Sequence, residues 1–310
     1  MSRTRTLTLT AGPVLLVGAS YWLTMTRTVR GFVPPAERPA AAAAVTAEPD
    51  EPLSQLDAAC TRAAARLAEQ LGSDRPIVIR PPYVLAGDLP EYTLTAWYEQ
   101  LVRPLAGCLR REFFDRDPDR PIVIVLCPDE SAYRRMAQVL DGRTSPLWYG
   151  YYRRDERRIV VNVSTGHGTL AHELVHALAH VDCPGLPEWF EEGLAALFEQ
   201  FRFSDDGQRL EGLSNWRLAH LRGAIEHDRL RPLSRLAGGA PPLLEPADYA
   251  HVRYLCLYLQ ERGLLAMYYR RLRANLDHDP GGLGTLCELL NVNSPEMIDR
   301  DFRAWALTLR

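Results

Sequence analysis

The sequence predicts an α+β fold, with an N-terminal α/β lobe built on a small mixed sheet and a mostly helical C-terminal lobe. Three observations lead there. Short β-rich runs bounded by proline, glycine and charged turns are confined to the first half of the chain. From Thr169 onward the apolar residues recur almost everywhere at helical spacing, with no internal repeat and no heptad array. The chain has 310 residues at 46% hydrophobic content, enough to bury a full-sized core as one large domain or two lobes.

Residues 1–32 run from Thr6 to Thr26 without a charge, about the ~20 residues a helix needs to cross a bilayer. Threonines, glycines and Pro13 dilute the span. Arg3 and Arg5 on one side balance Arg27 and Arg30 on the other, so charge sets no orientation. The expectation is a membrane anchor or signal sequence, with the rest of the chain outside the cytoplasm, either membrane-anchored or secreted. Residues 33–52, "VPPAERPAAAAAVTAEPDEP", hold almost no large apolar side chain and read as a linker.

The globular body is expected over residues 53–310, with the α/β lobe in 53–165 and the helical lobe in 166–310. Leu53 to Gly72 is an amphipathic helix ending at its glycine. "RPIVIRPPYVLAGD" gives two short strands parted by Pro-Pro. A helical stretch from about Glu91 to Phe114 leads through the solvated turn "DRDPDRP" into "IVIVLC", an interior strand over Ile122–Cys127. A helix around Ser131–Leu140 follows, then a hairpin in "GYYRRDERRIVVNVS" with the tip "RRDERR" and the return strand Ile159–Val163. Further helices are expected over Leu170–His180, Pro187–Gln200, Asn215–His227, Pro246–Arg262, Leu264–Asn275 and Pro295–Leu309.

Charge and composition exclude several functions. All 36 basic residues are arginine against 39 acidic residues, giving a net charge of −3 with the signs interspersed, so there is no basic field for nucleic acid. Without a lysine, a Walker-type phosphate loop and Schiff-base catalysis are both ruled out. The six cysteines show no CxxC pair or zinc-finger spacing, and those in "VIVLC" and "YLCLYL" read as small buried hydrophobes.

"LAHELVHALAH", residues 170–180, is apolar nearly all round a helix yet carries three histidines and a glutamate. His172 and His176 are one turn apart on one face, about 6 Å along the axis, close enough to chelate one metal ion. Glu173 follows the first histidine, where its carboxylate can reach a water at the metal rather than the metal itself. This is an HExxH pattern. His180 lies about 12 Å beyond His172 along the axis, too far to share a tetrahedral ion, and reads as a C-terminal helix residue. Asp182 could supply a third ligand in a metzincin-like arrangement, but Ala179 stands where that turn needs glycine.

A better third ligand lies in "PEWFEEGLAALFE", which starts eleven residues beyond His176, after the helix-stopping "CPGLP". Glu188, Glu191 and Glu192 are all available there. HExxH followed by W-F-x-E-G-x-A resembles the gluzincin metallopeptidases, in particular bacterial peptidase MA-like proteins. The match is sharp over residues 172–196 and one of outline over about 76–310. The resemblance implies a zincin-like fold with the metal site between the two lobes, and one zinc ion per chain held by His172, His176 and Glu192. The glutamate before the glycine is the third ligand in that pattern. Glu191 or Glu188 would then support the ligands from outside, or simply be solvated. The small residues Gly193, Ala195 and Ala196 are expected to let this helix approach the histidine helix, while Phe190, Leu194, Leu197, Phe198 and Phe201 face the core.

The implied activity is peptide-bond hydrolysis of a peptide or protein substrate, with Glu173 as general base. "GYYRRDERRIVVN" resembles the edge strand that zincins lay beside the cleft, where an extended peptide can add as a strand. An oxyanion donor is expected from "ADYAHVRYLCLYLQERG", which offers Tyr249, His251 and Tyr254; Tyr249 fits the family pattern best. His167 and the aromatic group Trp148, Tyr149, Tyr151 and Tyr152 are further substrate-facing options, with a surface loop and a hairpin packing face as their plain alternatives. The competing function is a catalytically inactive zincin-fold scaffold or binding module near a membrane. An integral-membrane protease is disfavoured, because polar segments flank the metal helix and no second span exists. The oligomeric state is left open.

Overall fold

The computed structural model describes residues 54–143, 149–238 and 245–310. The expected anchor and linker, and Trp148, lie outside the described residues. The first helix, α1 (Gln55–Leu71), starts at a capping box in which the Ser54 hydroxyl accepts from the Asp57 N–H while the Asp57 carboxylate accepts from the Ser54 N–H. It ends at Gly72, whose φ of +99° is open only to a residue without Cβ. β1 (Ile77–Arg80) and β2 (Tyr83–Gly87) form an antiparallel hairpin across the Pro81-Pro82 pair. The long helical stretch is continuous but not uniform. α2 (Glu91–Trp97) passes through a π-helical segment (Tyr98–Val102) into α3 (Arg103–Glu112). Pro104 follows that segment; it has no N–H to donate to the turn before it, and the wider turn makes room for its ring.

β3 (Ile122–Cys127) is buried along its whole length, as its unbroken apolar run requires of a central parallel strand. α4 (Glu130–Asp141) leads to the hairpin of β4 (Gly150–Arg153) and β5 (Arg158–Asn162). The sheet order is β1-β2-β3-β5-β4, with β2-β3 and β3-β5 parallel and the outer pairs antiparallel, so the sheet is mixed. α1 and α4 cover one face, packing Cys60, Leu67, Tyr133 and Met136 on Val84, Val125 and Val160. The alternate residues Leu85, Ile124, Leu126, Ile159 and Val161 are buried as well. α5 (Gly168–Asp182) packs on β4 and β5.

The second half is helical around α9 (Pro246–Glu261), which is buried on nearly every side from Ala250 to Leu259. It packs most extensively on α6 (Glu188–Leu197) and then on α7 (Arg217–Glu226). α10 (Leu265–Asn275) and α12 (Pro295–Ala306) occupy the remaining expected positions. Four elements depart from the sequence expectation. "FRFSDDGQRLEG" forms a hairpin of β6 (Phe201–Phe203) and β7 (Leu210–Gly212), so Phe201 enters the core from a strand rather than a helix. Its signals, alternation in F-R-F and the D-D-G turn, are too short to stand out beside strong helical periodicity. α8 (Leu233–Ala237) and α11 (Leu283–Leu290) are likewise too short to show a period; α11 is bracketed by Gly282 and Asn291 in left-handed conformations. The described residues fall in one compact unit, and no helix among them is long and apolar enough to cross a membrane.

Candidate metal centre

α5 is buried at Leu170, Ala171, Leu174, Val175, Ala177, Leu178 and Ala179, so its orientation is fixed and His172 and His176 are held in place with it. One helical turn brings the Nε2 atoms of His172 and His176 to 3.1 Å from each other. α6 begins after the turn that follows α5, and Trp189 anchors it by donating from Nε1 to the Gly281 carbonyl at 2.9 Å. From that helix Glu192 puts one carboxylate oxygen 3.6 Å from His172 Nε2 and the other 3.5 Å from His176 Nε2.

The far side of each ring is also set. His176 Nδ1 lies 3.0 Å from a Glu191 carboxylate oxygen, and His172 Nδ1 lies 3.4 Å from Glu199, coupled to it but off the line of a good hydrogen bond. Carboxylates accept and do not donate, so each Nδ1 carries a proton, and in the neutral ring Nε2 is left with the lone pair. The two Nε2 atoms thus face each other and a carboxylate; a proton on His172 can bridge them, and a metal cation can take that proton's place. At zinc bond lengths of about 2.0–2.2 Å, tetrahedral ligand atoms stand about 3.3–3.5 Å apart. The 3.1 Å between the two Nε2 atoms is near that edge; the 3.5 and 3.6 Å approaches are made by different oxygens of Glu192, and one ligand atom from each of the three residues lies within 4.8 Å of the others. Among the described residues, His172, His176 and Glu192 form a group that could hold a metal ion.

The surroundings are strongly negative. Glu173, Glu191, Glu192 and Glu199 gather around two imidazoles, and Arg217 pairs with one of them. Burial works against charging His172, but Glu199, Glu173 and Glu192 outweigh it and hold the imidazole up at about 9. Burial pushes the Glu173 carboxyl up, with the two histidines opposing. Glu199 resists its own burial because Arg217 and His172 keep its carboxyl far below the usual range. Glu191 is held down by its bond to His176 in the same way.

Glu199 is placed by two close approaches. At Gly168, the first residue of α5, an added Cβ would lie 2.3 Å from the Glu199 carbonyl oxygen, so only glycine lets the two backbones meet. Buried Arg253 of α9 donates from Nε to the Ala196 carbonyl at 3.0 Å and from Nη2 to the Leu197 and Leu213 carbonyls. It thereby satisfies the end of α6 just before Glu199. Neither Glu199 nor the two arginines was anticipated. Glu199 stands seven residues after Glu192, in the turn just beyond the end of α6.

Tyr249 comes to the rim of the centre: its hydroxyl is pushed up to about 12 by burial and by the charges of Glu192 and Glu188, and Arg217 lies over its ring at 5.6 Å. The other two options on α9 are elsewhere. His251 is stacked on Phe302, and the Tyr254 hydroxyl bonds to Asn215. His180 meets the Tyr152 hydroxyl at 2.9 Å, and the half-buried His167 packs edge-on against Phe201. Asp182 is saturated by Tyr269, Arg273 and the N–H groups of Asp115 and Arg116, leaving nothing for a metal. Tyr151 packs into the hairpin, bonded to Asp141. Gly193 differs from expectation: it admits α9, with Val252 and Cys256 against it, and not the histidine helix. Compared with known protein families and with curated proteins, the chain matches none.

Proposed function

We propose that the chain is a zinc-dependent metallopeptidase with a zincin-like fold of the gluzincin, peptidase MA-like type, in which His172, His176 and Glu192 would hold the ion. The observation that carries this reading is the convergence of two Nε2 atoms and one carboxylate within 4.8 Å of one another, with both Nδ1 atoms faced by further carboxylates. When bound, the ion supplies a Lewis acid that acidifies water and polarises a carbonyl oxygen.

The protein's own residues supply the rest. Glu173, next to His172 and buried, takes the proton of the attacking water on its carboxylate and passes it to the nitrogen of the leaving amine. Glu191 and Glu199 keep the rings turned so that Nε2 faces inward. The Tyr249 hydroxyl is the donor for the developing oxyanion. β4 is an edge strand of the sheet against α5, and its free backbone groups can pair with an extended substrate. On the same reading, the uncharged stretch Thr6–Thr26 tethers or exports the domain, so that catalysis is extracytoplasmic.

The test is metal analysis of the purified chain and its Glu173→Ala variant, with hydrolysis of an unstructured protein as the assay. One zinc per chain is expected in both, with hydrolysis lost in the variant. Turnover that survives Glu173→Ala removes the mechanism, and a chain without stoichiometric metal removes the site.

A further inference from the structure

We propose that Arg217 is a positioning residue of this centre, a single guanidinium that fixes both the carboxylate behind His172 and the ring of Tyr249. The proposal rests on the metallopeptidase reading and assigns that site a control point outside the expected motif.

Arg217 binds Glu199 through two parallel bonds, Nε to one carboxylate oxygen at 3.0 Å and Nη2 to the other at 2.7 Å. The oxygen that takes the Nη2 bond is also the one 3.4 Å from His172 Nδ1. Rotation of the Glu199 carboxylate would therefore break the fork and shift the histidine contact together. The same guanidinium lies 5.6 Å from the Tyr249 ring centroid and 4.5 Å from that of Trp216. Its side chain is 14% exposed and that of Glu199 11%, so water screens the pair little.

The backbone of Arg217 is pinned as well. Its N–H donates to the Asn215 side-chain oxygen at 3.0 Å, and Asn215 is held through both its N–H and its carbonyl by the Tyr254 hydroxyl, each at 3.0 Å. Tyr254 belongs to α9, the helix that carries Tyr249. The start of α7 is thus locked to α9, and Arg217 reaches from that lock to α5 through Glu199. A lysine could supply the charge but not the two-pronged geometry.

The experiment uses the full chain as wild type, Arg217→Met, Arg217→Lys, Glu199→Gln and the double variant Glu199→Gln/Arg217→Met. Zinc affinity is measured by chelator competition, ligand geometry by the visible spectrum of the cobalt-substituted protein, and turnover as separate kcat and KM. Apo-protein unfolding is followed in parallel. Arg217→Met and Arg217→Lys should each lower zinc affinity about 10- to 100-fold, the usual effect of removing an outer partner of a ligand. They should also alter the cobalt spectrum and reduce kcat with little change in KM. The double variant should lose no more zinc affinity than the worse single one, because both act through one contact. It removes both buried charges together and so retains a folded reference if Arg217→Met alone does not fold. Folded Arg217 variants with wild-type zinc affinity, cobalt spectrum and kcat overturn the proposal while leaving the peptidase reading intact. A wild-type chain that takes up no zinc overturns the peptidase reading, and this proposal with it.

Discussion

Replacing Gly193 by alanine sets two physical effects against each other at the helix that carries Glu192. Gly193 lies inside α6, where glycine is about 0.5–1 kcal/mol worse than alanine, so propensity alone makes the variant more stable. Packing says the reverse. The added Cβ would sit 2.6 Å from the Val252 carbonyl oxygen, 2.9 Å from Cys256 Sγ and 3.0 Å from the Val252 carbonyl carbon. The closest contact falls 0.8 Å short of the 3.4 Å at which ordinary contact begins. A backbone carbonyl in a fully buried helix cannot rotate aside, so α6 and α9 must separate. Overpacking of this kind costs about 1–3 kcal/mol, here at the upper end, and subtracting the propensity gain leaves a net loss of about 2 kcal/mol. For a domain of this size that lowers Tm by about 4–8 °C. Because the preceding residue is Glu192, separation of the helices also pulls the carboxylate off the histidines, and zinc affinity should fall in step. Thermal and urea unfolding of the apo-protein decide the matter. An alanine variant as stable as wild type, or more so, refutes the close-approach argument, because propensity would then have won.

Two further outcomes follow from buried ionisable groups remote from the centre. Asp182 is 1% exposed and accepts from Tyr269 at 2.6 Å, from Arg273 at 2.7 Å and from the Asp115 and Arg116 N–H groups at 2.8 and 2.9 Å. Asp182→Ala strips the acceptor from the Tyr269 hydroxyl and the Asp115 and Arg116 N–H groups and leaves Arg273 with Asp115 alone, and should cost about 3 kcal/mol in urea unfolding. Those donors hold the Asp182 carboxyl below its usual range despite burial, so its stabilisation is complete above the unfolded value of about 3.9 and is lost as pH falls through the folded one. The variant should therefore show a flatter acid limb below about pH 4. A loss under about 1 kcal/mol would show that the cluster is not structural. His251 is 1% exposed and stacked on Phe302, with neither ring nitrogen in a well-formed hydrogen bond. Burial, then the charge of Arg303, holds it down at about 3. The unfolded chain takes up a proton near pH 6.5 that the folded chain refuses, so stability falls with pH from 6.5 toward 3 by at most about 1.4 kcal/mol per unit. His251→Leu should remove that slope between pH 6.5 and 4.5. An unchanged slope would mean that other groups set it.

The parts of the centre differ in how far apart in the chain their causes lie. The histidine pair is a local property: once residues 168–182 are helical, positions 172 and 176 must share a face, and the apolar residues around them decide which face is buried. Glu192 needs one more step, a second helix folded back by a short turn, and three glutamates in that helix compete for the place. Geometry separates them, since Glu192 faces both Nε2 atoms and Glu191 only the outer nitrogen of His176. Glu199 and Arg217 need a third step, because a hairpin of two three-residue strands and the α7–α9 contact must form before they meet. No periodicity reports that, and the three-residue strands involved are too short to compete with helical patterns. Gly193 shows the same limit: its smallness was visible, but which neighbour it admits depends on α9, about sixty residues later. The residues hardest to anticipate are therefore those that offset charge. Four carboxylates collected around two imidazoles repel one another; Arg217 pairs with Glu199, and the charge of Arg154 helps hold Glu191 down. On the proposed function a divalent cation answers the rest, and the fold energy spent holding the carboxylates together returns as metal affinity.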